Sequence, residues 1–277
     1  MELTKVHLIC FSPTSTSKQV GKGIVHGMET EDITITDVTL SEVEELEIAE
    51  NDVAVIVVPV YGGRVAPLAL QRMKNIHGKD TPAVLVVVYG NRAYEKALME
   101  LDAFAIRQGF KVIGAATFVG EHSYHTENHP IASGRPNQED LLFANNFGKQ
   151  VADKIRAAEI LDKLYPVDVR SIRRPKQSLF GLLRFLRGVI KMRKSEIPVP
   201  KVPATDEALC IHCGICVKKC PNNAIEKGEE QHTIVEKCIR CCACVKACPE
   251  HARSFDTPFA PLLSKNFPKQ KLPQTLL

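Results

Sequence analysis

Nine of the ten cysteines fall between Cys210 and Cys248, and that crowding constrains the chain more than any other feature. CIHCGICVKKCP at residues 210–221 returns as CIRCCACVKACP at residues 238–249, an offset of 238 − 210 = 28. A disulfide framework would scatter its cysteines, whereas repeated thiol clusters indicate metal. Both copies fit C-x2-C-x2-C-x3-C-P, in which three thiolates wrap one face of an iron-sulfur cube and the fourth turns to the other cluster. By that rule Cys210, Cys213, Cys216 and Cys248 hold one 4Fe-4S cluster, and Cys238, Cys241, Cys244 and Cys220 hold the second. Zinc is the competing metal, but its structural sites usually join two separated ligand pairs, not triplets at this spacing. Pro221 and Pro249 end the ligand loops, and Gly214 allows close backbone approach. Cys242 lies between ligands and reads as a small space-filling side chain, with an alternative ligand or a redox-sensitive thiol as its competing roles. Cys10 ends a buried strand and reads as core.

Residues 204–255 resemble bacterial-type dicluster ferredoxins, with both motifs complete. The resemblance implies single-electron transfer at low potential, with two adjacent clusters acting as a relay.

Ahead of this region the chain alternates strand-like and helix-like stretches in the rhythm of βαβ units. Strands are predicted at Lys5–Cys10, Ile33–Asp37, Val53–Val60, Ala83–Tyr89 and Lys111–Phe118, with helices at Ser17–Met28, Pro67–Asn75, Ala93–Gln108 and Asn137–Ala158. The third and fourth strands are nearly continuous Val, Ile and Leu, as central parallel strands covered on both faces must be. The expected class is α/β, a doubly wound five-stranded parallel sheet with ligands at the strand carboxyl ends, joined to a small α+β domain. A length of 277 residues agrees with two domains at about 150 residues each. With 44% hydrophobic and 25% charged residues, disorder and collagen-like repeats are excluded.

After the first strand, Ser12, Thr14, Ser15, Thr16 and Ser17 place five hydroxyls in the seven positions 11–17, directly before a helix. Hydroxyls and backbone N–H groups at a helix amino terminus can cradle a phosphate, although such clusters also serve as plain caps. The third strand runs into Tyr61-Gly62-Gly63 and the fourth into Gly90-Asn91-Arg92-Ala93-Tyr94. This layout looks like flavodoxin, with a 2-1-3-4-5 strand order. The resemblance implies FMN, its phosphate on Ser12, Thr14, Ser15, Thr16 and Ser17, and its ring bordered by Tyr61, Gly62, Gly90, Asn91 and Tyr94. Pro13 and Ser15 stand where flavodoxin loops often carry glycine. No GxGxxG motif is present, so a dinucleotide site lacks support.

The loop after the fifth strand carries His122, Tyr124, His125 and His129. His122 or Tyr124 would overhang the flavin as proton donor or substrate contact; a metal site from the three histidines and an ordinary polar loop are the alternatives. Residues 163–201 hold 11 Lys/Arg against 2 Asp/Glu, a net charge of 11 − 2 = +9. Within them, residues 179–194 read as a basic amphipathic helix. Its three readings are a tether, a docking site for an acidic redox partner protein, and peripheral contact with an anionic membrane; nucleic-acid binding lacks aromatic interleaving.

The expected domains are 1–158, flavodoxin-like and FMN-binding; 159–203, a basic linker; 204–255, a dicluster ferredoxin; and 256–277, a Pro-rich tail. No apolar run is long enough for a transmembrane segment and the amino terminus lacks a signal-peptide pattern, so a cytoplasmic setting is expected. The leading functional expectation is an electron-transfer protein linking FMN, two 4Fe-4S clusters and an external redox partner. A flavin-dependent reductase of an organic substrate and a flavin-free interaction scaffold are the alternatives.

Overall fold

Nearly unbroken runs of β-branched residues build the centre of the fold, because such side chains are comfortable only on a pleated surface packed on both faces. A computed structural model describes residues 3–195 and 198–277. The chain divides into two units, the first comprising residues up to Gly120, Gly134–Pro175 and Lys271–Leu277, the second Glu121–Ser133 and Lys176–Gln270.

The first unit runs β1 (Lys5–Cys10), α1 (Thr16–Gly27), β2 (Asp32–Asp37), β3 (Leu46–Ile48), β4 (Val53–Tyr61), β5 (Arg64–Val65), α2 (Pro67–Arg72), β6 (Ile76–Gly78), β7 (Thr81–Tyr89), α3 (Ala97–Arg107), β8 (Phe110–Val119) and α4 (Gln138–Ala157). The second holds α5 (Leu179–Lys194), β9 (Ala204–Thr205), α6 (Ile215–Lys219), α7 (Ala243–Lys246), β10 (Arg253–Ser254) and α8 (Phe259–Asn266), after which β11 (Gln274–Leu276) returns to the first.

β2, β1, β4, β7 and β8 lie side by side and parallel, so the five predicted strands take the order 2-1-3-4-5 of a flavodoxin-like sheet. That winding gathers the loops after β1, β4 and β7 at one end of the sheet. β3 and β6 form a separate two-stranded pair that the sequence did not announce. The stretch read as a tail is structured: it supplies α8, and β11 pairs antiparallel with β8 through Leu276 and Ala115. This covers a sheet edge that would otherwise present unpaired backbone groups. α3 begins at Ala97, not Ala93, because Asn91 and Glu95 take left-handed conformations, with φ of 64° and 46°.

One core lies between the sheet and the α1–α4 pair, where Leu8, Val57, Val86, Ile24, Phe147 and Val151 are buried together. Each such side chain contributes roughly 1.5–3 kcal/mol of burial. α1 and α4 approach so closely that a Cβ on Gly27 would sit 1.9 Å from the Asn145 carbonyl oxygen, and one on Gly148 would sit 1.9 Å from that of Ile24. Both neighbours are backbone and cannot rotate away. In the second unit α5 packs on α8, and a Cβ on Gly181 would meet the Asn266 carbonyl oxygen at 2.5 Å.

Replacing Gly148→Ala is expected to destabilise the first unit by about 2–3 kcal/mol through overpacking. Thermal unfolding of the variant tests this, and a loss under about 0.5 kcal/mol would contradict the close helix contact.

Candidate functional site

The cysteine repeat is written into the backbone as well as the sequence. His212 and Arg240, Gly214 and Cys242, and Asn223 and His251 each stand 28 residues apart, and all six have φ between 49° and 69°. Left-handed residues at these places turn each cysteine run back on itself and launch a one-turn helix, α6 after Gly214 and α7 after Cys242.

These turns sort the thiols into two groups. Cys210, Cys213, Cys216 and Cys248 line one cavity. Cys220, Cys238, Cys241 and Cys244, with Cys242, line another. Each cavity thus takes three cysteines from one motif and the last cysteine of the other, the division the sequence rule requires. Among the described residues no three His, Cys, Asp or Glu groups are placed to hold a single ion, whereas a tetrahedral zinc would need four sulfurs at about 2.3 Å from one centre. The Ala224 N–H donates to Cys220 Sγ at 3.2 Å, a bond of the kind that tunes cluster potential. Burial pushes the free Cys241 thiol up to about 12. It likewise pushes Cys244 up to about 11, with the Arg253 guanidinium working against the rise. Loading metal therefore has to expel protons.

Cys242 lines the second cavity and is 2% exposed. Its counterpart is Gly214, so Cys242 occupies a left-handed position at a cost of roughly 1–2 kcal/mol. Arg253 has a more consequential counterpart. It stands 28 residues after Ile225, and where Ile225 lines the second cavity, Arg253 lines the first. Arg253 is buried, and its guanidinium donates to the Glu230 carbonyl and to Thr233 Oγ1, both at 2.5 Å. Its Nε is buried with no hydrogen-bond partner. The Glu230 carboxylate beside the same cavity accepts the Gly228 N–H at 3.1 Å and pairs with His212 Nδ1 at 2.9 Å, which holds it below the usual carboxylate range. Nothing in the cysteine spacing announced Arg253; aligning the two repeat copies beyond the cysteines would have exposed it.

In the first unit, Thr14, Ser15 and Thr16 keep accessible surface at the carboxyl end of β1, next to the start of α1. Ser15 is left-handed, with φ of 66°. Ser12 is turned inward, where its hydroxyl accepts the Lys18 N–H at 3.0 Å and its own N–H donates to Thr39 Oγ1 at 2.7 Å. Ser17 is fully buried, and its hydroxyl has no partner. Lys18 is bound to Asp37 at 2.8 Å. Burial works to raise the Asp37 carboxyl, but the bonds from Lys18 and Thr39 bring it below its ordinary value.

Gly62 and Gly63, at φ of 60° and 83°, form a hairpin turn between Tyr61 of β4 and Arg64 of β5. The turn is braced by Arg64, which donates to both Glu100 carboxylate oxygens at 2.9 and 2.6 Å. Gly90 is half-buried at the end of β7. Asn91 and Tyr94 depart from expectation. Asn91 is 2% exposed and its Oδ1 accepts the Lys271 N–H at 3.0 Å. Tyr94 is 4% exposed and its hydroxyl donates to the Ile172 and Arg173 carbonyls. Both side chains are almost fully buried. They instead anchor later parts of the chain.

The loop carrying His122 and Tyr124 belongs to the second unit, not to the sheet it follows. Tyr124 packs edge-on against Phe255, with ring centroids 5.4 Å apart. Burial, followed by the neighbouring Cys242, pushes its phenol up to about 12. His122 Nδ1 accepts the Tyr124 N–H at 3.0 Å, and His125 Nδ1 accepts the Ile131 N–H at 3.2 Å. Glu121 pairs with Lys246 of α7 at 2.6 Å. The loop is thus a brace on the cysteine-bearing unit.

A family model for the 4Fe-4S dicluster domain matches residues 203–249. No curated protein matches the chain. Among solved structures, it is similar to a flavodoxin from the domain Archaea at 14% identity and a TM-score of 0.38, covering 55% of this chain and 99% of that one. It is also similar to oxidised Flavodoxin 1 from Bacillus cereus at 17% identity and a TM-score of 0.41, covering 56% and 100%. The sheet order and the cysteine domain together define a flavodoxin-like α/β unit fused to an iron-sulfur domain, an architecture for redox chemistry.

Arg253→Ile should lower midpoint potential in the cysteine-bearing unit by about 60 mV, since losing a buried cation that lines one cavity and acts on Cys244 of the other disfavours the added electron and about 59 mV is a tenfold change. Arg253→Lys should recover most of that shift; a titration showing no difference for either variant contradicts the assignment. Cys242→Gly should leave iron content at about eight atoms per chain and change stability by less than about 1 kcal/mol, as relief of strain offsets added chain entropy. Loss of about four iron atoms would make Cys242 a ligand.

Proposed function

We propose that this chain is an electron-transfer iron-sulfur flavoprotein in which FMN on the first unit, two 4Fe-4S clusters in the second and an external redox partner protein exchange electrons. The observation carrying this reading is the crossed division of the eight motif cysteines between two cavities. When bound, FMN exchanges electrons singly or in pairs and each cluster exchanges one, so the fusion would convert between paired and single electrons.

The chain's own residues do the holding. Cys210, Cys213, Cys216 and Cys248 would carry one cluster, and Cys238, Cys241, Cys244 and Cys220 the other. Thr14, Ser15 and Thr16 would meet the FMN phosphate at the positive end of α1, which supplies dipole instead of a free cation. The partnerless Ser17 hydroxyl supports this placement, because a buried hydroxyl without an acceptor is costly and an anion or water would satisfy it. Tyr61, Gly62 and Gly90 would border the ring, the glycines by main chain.

The reductase alternative requires His122 and Tyr124 as groups over a flavin. Within the second unit Tyr124 packs on Phe255 and its N–H donates to His122 Nδ1, contacts that supply no argument for that reading. Anaerobically purified protein should contain about eight iron atoms and eight acid-labile sulfides per chain, and release one FMN. Full iron loading without flavin would overturn the proposal in favour of the scaffold reading.

A further inference from the structure

Helix α5 has two apolar faces, and only one of them is used. At 3.6 residues per turn, Gly181, Leu182, Phe185, Gly188, Val189 and Met192 share one side. There Leu182 and Phe185 pack against Ile131, Leu263 and Phe267. The opposite side bears Leu179, Leu183, Leu186 and Ile190 along the whole helix, within an arc of about 60°. These four are 78%, 61%, 46% and 54% exposed, and the adjoining Phe180 is 68% exposed. An apolar stripe of this length standing in water on a well-formed helix is a binding surface, not scattered surface hydrophobicity.

The residues around the stripe say what it binds. Arg184, Arg187, Lys191, Arg193 and Lys194 make α5 +5, with no acidic residue between 179 and 194. Arg187 and Lys194 lie along one edge of the stripe and Arg193 along the other. None of the five cations has an ion-pair partner among the described residues, and Arg184 lies over the exposed Phe180 ring at 5.4 Å. A neighbouring protein helix could cover the leucines but would also have to neutralise cations on both edges. An anionic bilayer does both at once, taking apolar side chains below the headgroups and meeting the cations at their level. No helix among the described residues is long and apolar enough to cross a membrane, so the helix lies on the surface.

We infer that α5 docks the chain onto an anionic lipid surface, with Leu179, Leu183, Leu186 and Ile190 inserted and its five cations at the headgroups. Docking through this helix does not depend on whether flavin is bound.

The test is flotation of the full-length, cluster-loaded chain with vesicles of phosphatidylcholine alone or phosphatidylcholine containing phosphatidylglycerol. Binding should be at least about tenfold stronger to the anionic vesicles and should fall as salt screens the cations. Leu183→Glu with Leu186→Glu should reduce it by at least about tenfold, and Arg187→Glu with Lys191→Glu should do the same. Unchanged cluster absorbance would confirm that the outward substitutions leave the unit folded. Three results would overturn the inference: no preference for anionic vesicles; binding lost on charge reversal but unaffected by the leucine substitutions; or a concentration-dependent dimer, broken by the leucine substitutions, without vesicle binding.

Discussion

A tight loop with two-residue spacers can aim three sulfurs at one face of a cube but cannot reach round to the fourth corner. Everything in the second unit follows from that shortage. Under the proposed ligation each cysteine run borrows its last ligand from the other, so neither site is complete until both runs are in place. The repeated left-handed turns at His212 and Arg240, Gly214 and Cys242, and Asn223 and His251 are the backbone form of this requirement. That Cys242 tolerates a conformation its counterpart fills with glycine reflects how firmly the crossed arrangement dictates the backbone.

The repeat is symmetric in its ligands and asymmetric around them. Arg253 lines one cavity where Ile225 lines the other, Glu230 lines only the first, and the Arg253 guanidinium also acts on Cys244 of the second group. Buried charge acts strongly on cluster potential because little solvent screens it. Under the proposed function, two clusters held by one motif would then differ in potential.

Much of this was legible in residue order. Val53–Val60 and Ala83–Tyr89 could be little other than central strands, and the helix at 179–194 fell where its periodicity placed it. The division of the motif cysteines between the two cavities followed from spacing alone. Long-range contacts were illegible. Nothing local in Gln274–Leu276 announces a strand, because its partner β8 lies more than 150 residues earlier. Nor does GEHSYHTENH reveal that it braces the cysteine-bearing unit instead of the flavodoxin-like sheet, a fact carried by Tyr124 against Phe255 and Glu121 on Lys246. Asn91 and Tyr94 have the chemistry of ring contacts, yet their polar atoms are committed to Lys271, Ile172 and Arg173.

The crossed ligation is tested most directly by comparing electron paramagnetic resonance spectra of anaerobically reduced single-cysteine variants. Cys248→Ala should lose the same cluster as Cys213→Ala and leave the same residual spectrum, while Cys220→Ala should match Cys241→Ala, each variant retaining about four iron atoms. If Cys248→Ala instead matched Cys241→Ala, each motif would be holding its own cluster, and the crossed arrangement would be contradicted.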